Sequence, residues 1–220
     1  MGLVIFDLDE TIVSLDTDVA WSNYLLKHKL VKDIDSFKQE KEAYYRDYLS
    51  GRLDIHRYLR EFVLKNLKQH PLDTLFEWRE QYIKEMIQPF VLHKAIDCMQ
   101  KHRAKGDYTM ILSGTNEFLV AATSELFPVN FWVATRLEKA ENYFTGNVVG
   151  EPLSGIVKLH WLQDWLSKHS EFCMEETTYY NNSHNDLTFM STVGHRVAVD
   201  PDNKLRDHAE AHKWPIVTFR

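Results

Sequence analysis

The hydrophobic and polar positions of this 220-residue chain follow two periods. After residue 86, short apolar runs alternate with stretches in which apolar residues recur every three or four positions. An apolar run bounded by polar or glycine residues predicts a buried strand, whereas the spacing of three or four predicts a helix. The first strand is predicted at 4–7. Further strands are predicted at 108–112, 131–134, 177–180, 196–199 and 215–219, a small hairpin at 143–149, and helices at 90–105, 117–126, 157–166, 186–192 and 203–212.

The stretch from Asp16 to Met86 shows helical spacing alone. Aromatic residues recur there three or four positions apart, charged residues fill the positions between them, and no convincing strand is found. Gly51 and Pro71 are the clearest breaks between its helices. This stretch interrupts the alternation of strands and helices directly after the first strand. We therefore predict a core domain at 1–15 and 87–220, with a helical cap domain inserted at 16–86.

Alternating strands and helices with crossover connections predict an α/β fold. The expected architecture is a Rossmann-like parallel sheet with helices on both faces, together with the inserted α-helical cap. In such sheets, ligands bind at the carboxyl ends of the strands. Asp7, Ser113 and the loop at 181–186 all follow predicted strands, so we expect them to converge although they lie far apart in the sequence.

Composition limits the kinds of partner. A hydrophobic fraction of 44% is ample for a packed core, and a formal net charge of −6 argues against a nucleic-acid-binding protein, which usually presents a basic face. No uncharged apolar run approaches the length needed to span a membrane. Cys98 and Cys173 form no disulfide framework, which is consistent with a reducing cytoplasm. The oligomeric state stays open.

The first motif carries the strongest chemical signal. The apolar run from Val4 to Phe6 delivers two carboxylates, Asp7 and Asp9, with one residue between them. If the strand continued unchanged, both side chains would share one face. Two carboxylates held so close repel each other unless a cation or a proton lies between them. The pattern suits a site that binds a divalent metal and acts on phosphate.

Four motifs occur in order along the chain: the stretch from Asp7 to Thr11, the stretch from Ile111 to Asn116, the single residue Lys158, and the stretch from Tyr180 to Leu187. Together they resemble the haloacid dehalogenase superfamily, and specifically its subfamily IB, whose members resemble phosphoserine phosphatase. The resemblance covers nearly the whole chain and is weakest in the predicted cap. It implies an enzyme, a phosphoric monoester hydrolase that works through a phosphoaspartyl intermediate.

The resemblance implies a role for each motif. Asp7 is expected to attack the phosphorus, and Asp9 to protonate the leaving alkoxide and then to activate the hydrolytic water. Lys158 is expected to neutralise the aspartate and the transferring phosphoryl group. The second motif, with Ser113, Gly114 and Thr115, is expected to hold phosphate oxygens where a strand ends and a helix begins.

The expected cofactor is Mg²⁺, which prefers oxygen ligands. The resemblance implies that Asp7, the main-chain carbonyl of Asp9, the residue at 182 and Asp186 lie at the metal. The family usually has an aspartate where this chain has Asn182. An amide offers a carbonyl oxygen but no charge, so we expect weaker metal binding and reduced activity.

The predicted cap is expected to select the substrate, a small phosphorylated metabolite. Asp16 lies where phosphoserine phosphatases carry an acidic residue that faces the substrate amine; Asp18 and Asn116 are further candidate substrate contacts. Helix capping is the alternative role for the two aspartates. Phosphoserine, histidinol phosphate and other amino-alcohol phosphates are equally plausible substrates. A phosphotransferase, or a catalytically weak protein that senses a phosphometabolite, stays open as the alternative function.

Overall fold

A computed structural model describes residues 1–50 and 52–220, so the predicted break at Gly51 lies outside the described residues. The strands are β1 (Leu3–Phe6), β2 (Tyr108–Asn116), β3 (Phe131–Thr135), β4 (Leu137–Ala140), β5 (Tyr143–Val148), β6 (Thr178–Asn181), β7 (His195–Val199) and β8 (Ile216–Val217). The helices are α1 (Thr17–Lys27), α2 (Ile34–Leu49), α3 (Ile55–Tyr58), α4 (Leu64–Leu67), α5 (Leu72–Tyr82), α6 (His93–Ala104), α7 (Glu117–Ser124), α8 (Ile156–Ser167), α9 (Leu187–Met190) and α10 (Asn203–Ala211).

Six strands form one parallel sheet in the order β3-β2-β1-β6-β7-β8. The chain therefore moves outward from β1 in one direction and then returns to β6 on its other side. β4 and β5 pair separately as an antiparallel hairpin, so the segment predicted as a hairpin at 143–149 is only its second strand, and the first strand lies before it. The architecture confirms the predicted α/β fold with a Rossmann-like parallel sheet.

The central strand β1 explains why both faces of the sheet are covered. Leu3 and Ile5 pack in one apolar cluster, and Val4 and Phe6 pack in another, as expected when side chains alternate across a strand. All four side chains are at most 1% exposed. A strand buried on both faces has a continuous apolar sequence, and the run from Val4 to Phe6 is such a sequence.

The helices between β1 and α6 match the predicted pattern. In the part of the chain described between 16 and 86, the regular elements are helical, with a π-helical turn at Leu59–Val63 joining α3 to α4 and another at Ile83–Ile87 following α5. Trp21, Tyr24 and Tyr82 belong to the same apolar cluster as Phe6 of the sheet. The division of the chain at 16 and 86 into a core and a cap stays a prediction.

The boundary between β2 and α7 differs from the prediction. The strand continues to Asn116, four residues beyond the predicted end at 112, and α7 begins at Glu117. Asn116 caps α7, because its side-chain oxygen accepts a hydrogen bond from the backbone N–H of Leu119 at 3.2 Å. The expectation that Ser113 follows the strand, where a helix begins, is therefore wrong: Ser113 lies within β2.

Two sequence expectations concern the membrane and the thiols. Within 1–50 and 52–220, no helix is long and apolar enough to cross a membrane. Cys98 and Cys173 both carry free thiols, with Cys98 half-buried and Cys173 exposed.

Candidate active site

The loop after β1 sets the directions of the first two aspartates. The strand ends at Phe6, and the carbonyl of Leu8 then accepts hydrogen bonds from the backbone N–H groups of Thr11, Ile12 and Val13 at 3.0–3.3 Å. This tight turn includes a left-handed residue, Glu10, with φ of 55°. The two carboxylates consequently do not continue the strand alternation, and each has different partners.

Asp7 is a buried carboxylate held next to a buried ammonium. Its backbone N–H donates to the carbonyl of Tyr180 at 2.9 Å, which ties the start of the loop to β6. Lys158 Nζ donates to Asp7 Oδ1 at 2.8 Å. Burial raises the pKa of the Asp7 carboxyl to about 6, although the charge of Lys158 acts in the opposite direction.

Lys158 also joins the third motif to the fourth. Its Nζ donates to Asp186 Oδ2 at 2.5 Å, and the hydroxyl of Tyr179 donates to the same oxygen at 2.7 Å. Burial acts to lower the pKa of Lys158, but the carboxylates of Asp186 and Asp7 outweigh it, so the pKa is raised and the lysine stays charged. The ammonium is thus a fixed positive charge between two buried carboxylates.

Sequence reasoning did not identify Tyr179 as part of this group. The only available signal was its position on β6, directly before the motif that begins at Tyr180. Its side chain is fully buried, and its hydroxyl lies 3.2 Å from Lys158 Nζ. Strand alternation places it on the opposite face from Tyr180, which stacks on Phe6.

Asp9 is held by three hydrogen bonds. The backbone N–H and the hydroxyl of Thr17 both donate to Asp9 Oδ1, at 2.8 Å and 2.6 Å. The hydroxyl of Thr115 donates to Asp9 Oδ2 at 2.5 Å. Thr115, a predicted phosphate contact, therefore contacts the predicted acid–base residue. Thr17 was not predicted at all.

The other residues of the second motif pack tightly around a bent strand. The hydroxyl of Ser113 accepts a hydrogen bond from the backbone N–H of Thr115 at 3.1 Å, and the carbonyl of Gly114 accepts from Thr135 Oγ1 at 2.7 Å. A Cβ atom at Gly114 would lie 3.1 Å from the carbonyl oxygen of Leu153, which favours glycine here. Binding of phosphate by Ser113, Gly114 and Thr115 stays a prediction.

Asn182 is joined to the first motif. The hydroxyl of Thr11 donates to Asn182 Oδ1 at 3.1 Å and accepts from the backbone N–H of Asn182 at 3.2 Å. The side-chain amide nitrogen of Asn182 donates to Glu10 Oε2 at 3.4 Å. The residue that departs from the family pattern is therefore buried between Thr11 and Glu10, with its amide oxygen already partnered.

The donor atoms suit Mg²⁺ in type. Asp7 and Asp186 supply carboxylate oxygens and Asn182 supplies an amide oxygen, and hard oxygen ligands are those that Mg²⁺ prefers. In the part of the chain that the structure describes, no three His, Cys, Asp or Glu side chains are grouped to hold a metal ion. The fit thus depends on the amide oxygen and on main-chain or water oxygens to complete the ligand set.

Asp16 and Asp18 lie at the start of α1. Asp16 caps this helix, since its Oδ1 accepts from the backbone N–H of Val19 at 2.8 Å, and Asp18 Oδ1 accepts from Asn116 Nδ2 at 2.9 Å. Burial, followed by the charge of Asp9, raises the pKa of Asp16 to about 7, and burial likewise holds the pKa of Asp18 well above its usual range. Both carboxyl groups would gain from a nearby positive charge.

The four motifs thus meet at one edge of the sheet. Residues 4–191 match the family of haloacid dehalogenase-like hydrolases. The chain belongs to this family. The predicted resemblance to the haloacid dehalogenase superfamily is confirmed, and so is the predicted enzyme class, a phosphoric monoester hydrolase of this family.

Individual relatives support the same assignment. The chain is 35% identical to a histidinol-phosphatase of Neisseria meningitidis over 222 aligned residues, covering 100% of this chain and 99% of the relative. A solved structure of a Bordetella pertussis protein of unknown function superimposes with a TM-score of 0.92 at 27% identity, covering 100% and 99% of the two chains. A substrate-bound phosphoserine phosphatase shares the fold, with a TM-score of 0.71 at 21% identity, covering 100% and 93%.

Proposed function

We propose that this chain is a Mg²⁺-dependent phosphatase that hydrolyses a small phosphomonoester metabolite in the cytoplasm through a phosphoaspartyl intermediate. The single observation that carries this proposal is the buried pair of Asp7 and Lys158 at the carboxyl end of β1. A carboxylate and an ammonium are both costly to bury, and a pair placed at this edge of a parallel sheet is placed for chemistry. We propose neither nucleic acid nor membrane as a partner.

Asp7 acts as the nucleophile in this proposal. Lys158 holds Asp7 Oδ1, and no donor among the described residues bonds to Oδ2, which leaves that oxygen for the attack. A new bond joins Asp7 to phosphorus as the bond from phosphorus to the ester oxygen breaks. Asp9, in its protonated form, donates a proton to that departing oxygen. Asp9 then takes a proton from the water that hydrolyses the acyl phosphate. Lys158 remains charged throughout and offsets the negative charge on the phosphoryl group.

The metal would be held by Asp7, Asn182 and Asp186, together with the main-chain carbonyl of Asp9. When bound, Mg²⁺ supplies the positive charge that lets a carboxylate approach a phosphate dianion. Asn182 contributes an oxygen without charge, and Thr11 already donates to that oxygen. The 182 side chain therefore contributes less to cation affinity than a carboxylate at the same position would.

We expect the substitution Asn182→Asp to tighten Mg²⁺ binding by roughly tenfold, because the ligand set gains a carboxylate. Isothermal titration of the protein with MgCl₂, in the absence of substrate, measures this change directly. Asn185→Asp is the matched control, since it adds the same charge in the same loop at a side chain that we do not place at the metal. Unchanged affinity in Asn182→Asp would place residue 182 away from the cation.

A phosphometabolite sensor is the second candidate function, and Asn182 is the observation that favours it. A site that binds its metal weakly would still bind a phosphorylated ligand through Lys158 and the second motif, but would not hydrolyse it. Measurable binding of a phosphorylated metabolite together with no turnover at saturating Mg²⁺ would support the sensor. A phosphotransferase differs only in that a metabolite hydroxyl replaces the water.

We further propose an amino-alcohol phosphate as substrate, with histidinol phosphate preferred over phosphoserine. Asp16 and Asp18 would gain from a positively charged amine, and a substrate carboxylate beside them would repel them. Arg57 and Arg60 do not offset such a carboxylate, because both pair with Glu61 at the surface. The full-length similarity to a histidinol-phosphatase favours the same choice.

We expect histidinol phosphate to be hydrolysed with a higher kcat/KM than phosphoserine, and the substitution Asp16→Asn to reduce kcat/KM for histidinol phosphate by about tenfold. Asparagine caps helices as well as aspartate, so this change removes the charge and keeps the cap of α1. The control substrate is p-nitrophenyl phosphate, which has no amine and should lose little. Equal losses on both substrates would remove Asp16 from substrate recognition.

A further inference from the structure

Thr17, the first residue of α1, contacts the predicted acid–base carboxylate through two groups. We propose that Thr17 is a positioning residue that orients Asp9 for proton transfer to the leaving group. This inference rests on the proposed phosphatase activity and deepens it, because it assigns a source for the orientation of the acid. The sequence motifs end at Thr11 and resume at Ile111, so they do not include Thr17.

The geometry around Asp9 is that of a clamp. The backbone N–H and the hydroxyl of Thr17 converge on Oδ1, and the hydroxyl of Thr115 reaches Oδ2. Donors on both oxygens resist rotation of the carboxyl group about its terminal torsion, which is otherwise broad. Thr17 is fully buried and Thr115 is 7% exposed, so water competes weakly for these bonds.

The backbone of Thr17 is fixed by a second buried side chain. The hydroxyl of Tyr82, the last residue of α5, donates to the carbonyl of Thr17 at 2.8 Å, and Tyr82 is fully buried. The next residue, Asp18, accepts from Asn116 at the start of α7. The first turn of α1 is thus attached to the end of α5 and to the β2–α7 junction. The packing of the helical segment against the sheet consequently determines where Asp9 points.

The orientation of Asp9 matters most for the first step of the reaction, in which the leaving group departs. An alkoxide is a poor leaving group, and its departure needs a proton delivered as the ester bond breaks. A p-nitrophenolate is stable as an anion and leaves without a proton. A defect confined to the orientation of Asp9 therefore slows hydrolysis of an alkyl phosphate much more than hydrolysis of p-nitrophenyl phosphate. A general loss of folding or of phosphate binding slows both equally.

The test compares kcat/KM for histidinol phosphate and for p-nitrophenyl phosphate in Thr17→Val and Thr17→Ser. This parameter covers the steps up to formation of the phosphoenzyme, so the later role of Asp9 as a base does not enter. We expect Thr17→Val to lose about tenfold or more on the alkyl ester, and less than about threefold on the aryl ester. Thr17→Ser retains the hydroxyl and should recover most of the loss.

Two further variants separate positioning from packing. Thr123→Val makes the same change at a buried α7 threonine whose hydroxyl has no partner among the described residues, and it should leave both rates unchanged. Tyr82→Phe removes the donor behind Thr17 and should show a smaller loss with the same preference for the alkyl ester. Equal losses on the two esters in Thr17→Val, or no rescue by serine, would overturn the inference. A wild-type protein inactive on both esters would instead overturn the proposed function.

Discussion

The substitution Asp7→Asn is expected to abolish turnover, with kcat/KM for p-nitrophenyl phosphate falling by at least about 10³-fold. An amide has nearly the shape of a carboxylate but does not form the acyl phosphate. The fold should persist, since removing one of the two carboxylates that share Lys158 still leaves this ammonium paired with Asp186. Steady-state kinetics with Mg²⁺ measure the loss of turnover. Acid quench, which traps phosphorylated protein, measures the loss of the acyl phosphate.

Asp164→Asn provides the control for this prediction. Asp164 is an exposed aspartate on α8 whose partner is Lys168, and the same change there should leave the rate within error of the wild type. Residual activity above about a tenth of the wild type in Asp7→Asn, with no trapped phosphoprotein in the wild type, would rule out Asp7 as nucleophile.

The substitution Lys158→Met is expected to cost about 3–5 kcal/mol of unfolding free energy and to abolish activity. Methionine fills a similar volume, but Asp7 and Asp186 then lie buried without their shared cation. Urea denaturation at pH 8 in EDTA measures the stability loss, because EDTA removes divalent ions that would supply the missing charge. Lys168→Met, at the residue that directly follows α8, is the matched control, and the exposed pair of Lys168 with Asp164 should contribute less than about 1 kcal/mol.

The stability loss in Lys158→Met should depend on pH. Burial raises the pKa of the Asp7 carboxyl and Lys158 acts to lower it, so without the ammonium Asp7 binds its proton still more tightly in the folded protein than in the unfolded chain. The folded variant therefore binds more protons than its unfolded state, and its stability falls as the pH rises. We expect the deficit relative to the wild type to be smaller at pH 5 than at pH 8. A deficit independent of pH would indicate lost packing rather than unpaired carboxylates.

Further, the double variant Lys158→Met with Asp186→Asn should recover part of the stability lost in the single variant. It removes one of the two carboxyl groups that the lysine separates, so less charge stays buried. The recovery is measured by the same urea experiment. A double variant less stable than the single one would show that Asp186 has other stabilising partners, with Tyr179 the first to examine.

The sequence predicted the centre of the sheet well because β1 and most of β2 are buried on both faces. The apolar runs at Val4–Phe6 and from Tyr108 are typical of interior strands, and apolar residues in the stretch between them recur at helical spacing. The ends of the strands were predicted less accurately. β2 continues to Asn116 through a bent stretch in which Ser113 and Gly114 make local contacts. Strand ends of this kind depend on caps and on neighbouring strands, which local periodicity does not contain.

The sequence by itself determined the family and the chemical types at the site: the aspartates of the first motif, the lysine at 158 and the amide at 182. These are short-range patterns, and their order along the chain is enough to recognise them. Only the tertiary structure decided that Lys158 lies between Asp7 and Asp186, that Tyr179 joins them, and that Thr17 holds Asp9. Such contacts join residues from different strands and helices, and their geometry follows from how the whole sheet and its helices pack.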